Sequence, residues 1–309
     1  MSPPKVVVIG SCMTDLVSYT PRLPALGETI HGHRFSVGFG GKGANQCIAA
    51  TRLGATTAMV AMVGDDSFGQ NYLQNFHDNG VNISHVGVTS EAATGVAPIA
   101  VDDAGDNCII IIAGANLKMT AANIEKAEKM VKESTVVVCQ GEITSEATLA
   151  ALVMARKHNV TTLMNAAPAD ANLDPAIIEN SDIFCVNESE AEVLTKIQVK
   201  RVEDAQLAAK ILLTRGCRSV VITLGGDGAV YSTLDEHIYV PADKVTPVDT
   251  TGAGDAFVGA LAYFLAYHPQ LTMEEMMRRS CKIASVSVQA AGTQSSYPTR
   301  DKLPSHLFV

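Results

Sequence analysis

Six short runs of mainly apolar residues recur along this chain, and they limit its fold more than any other feature. They occupy residues 6–9, 58–63, 135–139, 161–164, 183–186 and 220–224. None alternates apolar with polar, as a strand with one wet face would. A continuous run of this length fits a strand covered on both faces, which is the habit of parallel sheets. Helical stretches lie between them, at 67–79, 121–132, 145–158 and 202–214, with two more closing the chain at 252–266 and 272–291. The expected architecture is α/β: a doubly wound, mostly parallel sheet flanked by helices. Two polar strand-like runs, 28–31 and 34–37, read as a hairpin or flap. Runs 97–101 and 108–112, either side of a turn-rich 102–107, offer further strands to that small β-sheet lid. No internal repeat or low-complexity tract is evident.

Length and charge exclude some function classes. A 309-residue chain that is 47% hydrophobic can bury a large core. Its net charge of −9 argues against a general nucleic-acid or membrane-surface binder, while leaving room for a local basic pocket. No apolar run reaches the roughly 18 residues of a membrane span, and no signal-peptide core follows the first methionine. A soluble, intracellular protein is expected. The seven cysteines, at 12, 47, 108, 139, 185, 217 and 281, contain no CxxC pair and read as buried, reduced thiols.

The chemistry concentrates at Val248-Asp-Thr-Thr-Gly-Ala-Gly-Asp255, which runs into an apolar helix. Gly252 and Gly254 allow a tight turn and a close approach. A helix opening there presents unpaired N–H groups and partial positive charge, which attract phosphate. Asp255 sits in the first turn, where a carboxylate can accept a proton. Together these point to phosphoryl transfer onto a hydroxyl with Asp255 as base; alternatively, Asp255 only complements the helix dipole. A second glycine-rich stretch, Gly38-Phe-Gly-Gly-Lys-Gly-Ala-Asn45, is not a Walker loop, because Gly43 follows Lys42. It suits either a ligand cradle or a hinge with close helix packing.

Other polar groups stand at the carboxyl ends of expected strands, where open α/β sheets bind ligands. They are Asp15, Glu142, Asn187 with Glu190, and 223–228. Asp15 and Glu142 could instead cap helices. Asn187 and Glu190 have the spacing of a capping box. His31 and His33 flank a glycine, but no third metal ligand lies near them.

Taken together, the two glycine stretches resemble the signatures of the ribokinase-like (PfkB) carbohydrate kinases. Supporting matches are Gly10-Ser11 to Asp15, 24–28, Asn187-Glu-x-Glu190 and Ile222-Thr-Leu-Gly225, so that the likeness runs from about residue 5 to 300. Gly-Lys-Gly-Ala-Asn-Gln46 and the tail from Ala291 to Pro298 are most similar to the branch acting on ribose. The resemblance implies one domain over 1–309, with a β lid from about 15–42 and 94–113. It implies an ATP-dependent kinase for the 5-hydroxyl of D-ribose, with fructose, deoxyribose or a nucleoside as the alternative acceptors. A catalytically silent sugar- or nucleotide-binding regulator on the same fold is the rival of another class.

It also implies roles. Met13, Thr14, Asp15, Gly41, Lys42, Gly43, Ala44, Asn45 and Glu142 would surround the sugar. Asp255 would be the base, and Gly252, Ala253 and Gly254 would complete an anion hole with it. ATP would lie along Thr223, Leu224, Gly225, Gly226, Asp227 and Gly228, with Asn187 near the phosphates and Glu190 helping to place Mg²⁺ through water. A K⁺ site of largely backbone oxygens would draw on Asp249, Thr251, Ser287, Ala290, Gly292 and Ser296. A homodimer joined through the lid is implied, in the cytoplasm, with the nucleus also open to it. Two positions depart from the pattern. Met13 stands where bacterial members carry a sugar-binding Asn, and Cys281 replaces the usual His or Asn beside the adenine.

Overall fold

The structure, a computed structural model, describes residues 3–309. In chain order, strand β1 is Val6–Ile9, β2 Met13–Thr20 and β3 Arg34–Gly40; helix α1 is Lys42–Arg52, then come β4 Thr57–Gly64, α2 Ser67–Asp78, β5 Asn82–Thr89, β6 Gly95–Asp102 and β7 Asn107–Ile109. The middle of the chain supplies α3 Ala121–Lys126, α4 Glu128–Lys132, β8 Val136–Gln140, α5 Ser145–Lys157, β9 Thr161–Asn165, α6 Pro175–Glu179, β10 Ile183–Asn187 and α7 Glu188–Thr195. The last part holds α8 Val202–Leu213, β11 Ser219–Thr223, β12 Ala229–Ser232, β13 His237–Val240, α9 Ala253–Tyr267 and α10 Met273–Ser287.

Nine strands form the main sheet in the order β13-β12-β11-β10-β9-β8-β1-β4-β5. All neighbours are parallel except β11–β12 and β12–β13. Every residue of β1, β4 and β8 is buried, which is why those runs show no alternation. Residues of α1, α2, α9 and α10 pack with the sheet into one core cluster, and residues of α3 to α8 into the other. The chain winds outward in both directions from β1, which pairs with β4 on one side and β8 on the other. Such a reversal opens a crevice at the carboxyl ends of the strands.

The second sheet has four strands, in the order β3-β2-β6-β7. One of its two longest strands, β2, was not expected, because Met13–Thr20 mixes polar and apolar residues; the strand is only partly covered over most of its length. The strand expected at 28–31 is absent. Glu28 instead pairs with Arg22 and accepts from the Ala25 N–H (2.9 Å), folding that stretch into a turn. The expected helix at 121–132 breaks at Ala127 into α3 and α4. Helix α10 ends at Ser287 rather than 291, because Val288 turns its carbonyl to the N–H groups of Val248 and Asp249 (2.7 and 3.2 Å). Six cysteines are buried and free as expected, but Cys108, on β7, is exposed. Among the described residues no helix is long and apolar enough to cross a membrane.

Candidate active site

Two helix starts face the crevice. Helix α9 opens at Gly252, whose φ of 78° lies in the left-handed region, and a Cβ there would collide with Thr293 and Tyr297. The N–H of Ala253 closes a turn onto the Thr250 carbonyl (3.2 Å). Those of Gly252, Gly254 and Asp255 have no partner among the described residues, so they are the donors left for an anion. The segment behind them, Ala256 to Phe264, is buried all round, which fixes the helix start rigidly. Asp255 is itself only 6% exposed. Its Oδ2 accepts from Asn45 Nδ2 (2.9 Å) and its Oδ1 from Gln46 Nε2 (2.9 Å).

Helix α1 opens at Gly41, again with a positive φ, 87°. Here the donors are occupied. The Lys42 N–H goes to Glu142 Oε2 (2.8 Å), the Gly43 N–H to Ser11 Oγ (3.3 Å) and the Ala44 N–H to the Ser11 carbonyl (2.9 Å). Ser11 Oγ in turn donates to Glu142 (2.5 Å). Glu142 therefore caps a helix distant in sequence, from the carboxyl end of β8.

Charge is packed closely in this corner. Burial, then the carboxylates of Glu142 and Asp255, push Asp15 up to about 7. Burial also raises Glu142, against the opposing pull of Ser11 and Lys42. Lys42 is raised chiefly by Asp255, so its ammonium stays charged among the acids.

Asp255 and Lys42 line one cavity of about 160 Å³, together with Asn165, Asn187, Glu190 and the Gly252–Gly254 turn. A larger cavity, about 510 Å³, is lined by Thr223, Gly225, Gly226, Asp227, Gly228, Phe257 and Cys281. The two share Thr223, Thr250, Ala253 and Gly254, so they meet at the α9 N-terminus. Leu224 does not line the larger cavity; its side chain is buried in the core. Burial, then Asp243, pushes the Cys281 thiol up to about 12, so it is neutral in that wall. Both halves of the Asn187–Glu190 capping box are formed, each bond 2.8 Å, so these side chains cap α7 and line the smaller cavity at once.

The remaining expected site residues are dispersed. Met13 is buried, and Ala44 packs in the core. Thr14 is 2% exposed, and its hydroxyl has no partner among the described residues. Asp249 ties two loops together, accepting from the Thr251 N–H and the Gly292 N–H (2.9 Å each). Burial pushes Asp249 up, but these backbone donors outweigh it and hold the group below its ordinary value. Ser287 and Ala290 join in a turn (3.4 Å), and the Ser296 hydroxyl donates to Thr293 O (2.8 Å). His33 pairs with Asp103 (3.5 Å) on the surface, and no metal-holding cluster of His, Cys, Asp or Glu occurs among the described residues.

Sequence reasoning assigned no role to Ser11, Gln46, Asn165 or Gln294. The one signal for Gln46 was its place beside Asn45. Gln294 had only its place in the tail from Ala291 to Pro298, which gave it no partner, since it reaches Asn45 from 249 residues away.

Comparison with known proteins agrees with this geometry. The family model for the pfkB family carbohydrate kinases matches residues 3–300. A curated ribokinase from Mus musculus is 55% identical over 305 residues, covering 98% of this chain and 94% of that protein. A deoxyribokinase from Salmonella typhi is 38% identical over 304 residues, 98% and 99% of the two chains. The solved structure of Arabidopsis thaliana ribokinase complexed with ribose and ATP superposes with a TM-score of 0.89 at 29% identity, covering 98% of this chain and 97% of that one. With its doubly wound sheet, its open α9 start and these relatives, the chain belongs to the pfkB family of carbohydrate kinases.

Proposed function

We propose that the protein transfers the γ-phosphoryl group of ATP to the 5-hydroxyl of D-ribose, giving D-ribose 5-phosphate and ADP. The observation that carries this reading is the meeting of two cavities at one helix start, with Asp255 on the side of Lys42. The sugar binds beside Asp255 on the Lys42 side, next to the smaller cavity. Asp15, Glu142, Lys42 and Asn45 supply the paired donors and acceptors that a polyol requires. Asp255 takes the proton of the attacking hydroxyl, whose oxygen bonds to the γ-phosphorus as the bond to the β-phosphate oxygen breaks. The N–H groups of Gly252, Gly254 and Asp255 hold the charge on the migrating phosphoryl. The nucleotide occupies the larger cavity along 223–228.

Magnesium bound with ATP supplies charge neutralisation at the phosphates, and Glu190, with one carboxylate oxygen free of the capping box, suits a water-mediated hold on it. The joined loops at Asp249 and Gly292 suit a K⁺ site of backbone oxygens beside the anion hole. The four-stranded sheet is the lid. Its side chains Phe35 and Val37 on β3, and Ile110 and Ile112 just beyond β7, are each more than half exposed, which supports pairing with the lid of a second copy.

Asp255→Asn should keep the fold and ribose binding while lowering kcat by about 10²–10⁴. Near-normal turnover would remove the base assignment. A panel of ribose, 2-deoxyribose, fructose and nucleosides, read by coupled ADP release, assigns the acceptor. ADP release at the background rate with every sugar would favour a silent binding protein. Replacing K⁺ with Na⁺ should slow turnover, and an indifferent enzyme would contradict the cation site.

A further inference from the structure

The base is held from both sides by buried amides. A carboxylate can only accept hydrogen bonds, so Asn45 and Gln46 must each turn the amide nitrogen to Asp255. Their carbonyls are then left to accept. Asn45 Oδ1 takes Gln294 Nε2 (3.0 Å), and Gln46 Oε1 takes Gln140 Nε2 (2.8 Å). Gln294 also donates to Tyr72 Oη (3.0 Å), and the Tyr72 hydroxyl donates to the carbonyl of Gly40, the last residue of β3 in the four-stranded sheet. Gln46 is 1% exposed and Gln294 5%.

The charge on Asp255 sets the direction of Asn45 and Gln46; Gln46 Nε2 also donates to Asn165 (2.9 Å), and Asn75, donating to Gln294 Oε1 (2.9 Å), fixes Gln294 in the matching sense. The directionality has a cost: Gln140 Oε1 is buried with no partner among the described residues. Packing alone would be served better by apolar side chains, whereas a network of this kind specifies one arrangement. We infer that Gln46 and Gln294 are positioning residues for the transfer step, fixing the plane of the Asp255 carboxylate and tying it, through Asn45 and Tyr72, to Gly40, where β3 of the four-stranded sheet runs into α1. The inference rests on the reading of Asp255 as the base.

The test replaces Gln46 with Met, which keeps length and removes the donors. Gln46→Met should lower kcat by about 10–100-fold, as a misaimed base would, with the KM for ribose and for ATP changing far less. In the Asp255→Asn background the same change should cost nearly nothing, because its effect passes through that carboxylate. Wild-type kcat in Gln46→Met overturns the inference, as does its full effect persisting beside Asp255→Asn. If Gln46→Met shows no folded thermal transition, Gln294→Met is put through the same cycle, with the same outcomes deciding. Asp255→Asn alone separates the two readings. If it stays active, the base assignment fails; if it is inactive while Gln46→Met is normal, only the positioning role fails.

Discussion

The N-termini of α1 and α9 start from the same local chemistry and end with opposite duties. Each opens at a glycine with positive φ, Gly41 at 87° and Gly252 at 78°. Each exposes the orphan N–H groups of a first helical turn. At α1 those donors are filled from within the protein by Glu142 and Ser11. At α9 three of them stay open toward a cavity. A filled helix start anchors, whereas an open one keeps donors free for an anion, so what a glycine turn can do depends on what the fold places in front of it.

The largest break in that contrast comes from Gly252→Ala. The added methyl meets Thr293 and Tyr297 and forces an unfavourable φ, so the open turn must shift. With its donors misplaced, kcat should fall by about 10²–10³, measured by coupled ADP release. Gly41→Ala, whose Cβ would come 2.7 Å from the Met13 backbone nitrogen, should appear first as lost stability, about 1–3 kcal/mol by denaturant unfolding. A Gly41→Ala protein that keeps its stability but loses turnover would erase the distinction.

Ser11→Ala removes a cap from α1 and should cost about 0.5–2 kcal/mol, read as a shift in denaturation midpoint. A wild-type midpoint would mean that water replaces the cap at no cost.

The smallest effect concerns pH. In the ligand-free protein Asp15 is held at about 7, well above its value of 3.8 in the unfolded chain. Between those values the folded state binds more protons than the unfolded one. Its stability should therefore fall as pH rises through that window, and Asp15→Asn should flatten the fall. A sugar hydroxyl donating to Asp15 favours the ionised form, so ribose binding near pH 7 should release protons. Calorimetry in buffers of differing ionisation enthalpy reads that release; a buffer-independent enthalpy would place Asp15 away from the sugar.

Much of this could be read from the residues. The apolar runs announced a two-sided sheet because burial on both faces abolishes alternation. Asp255 stood out because glycines before an apolar helix mark an open helix start, while its duty as base or as dipole partner stayed open in the residues. By contrast β2 was hidden, since a strand with partly exposed faces shows neither period. The end of α10 was hidden too, being set by Val288 turning to the loop at Val248 rather than by any local stop signal.

The sequence by itself determined where the backbone must be buried and where it must turn, because these follow from side chains a few positions apart. Only the tertiary structure decided that Glu142 fills one helix start, that Asn45 and Gln46 hold the Asp255 carboxylate, and that Gln294 stands behind Asn45. Those pairings span 100 to 249 residues, and the order of strands in the sheet, not any local pattern, brings them within hydrogen-bonding distance.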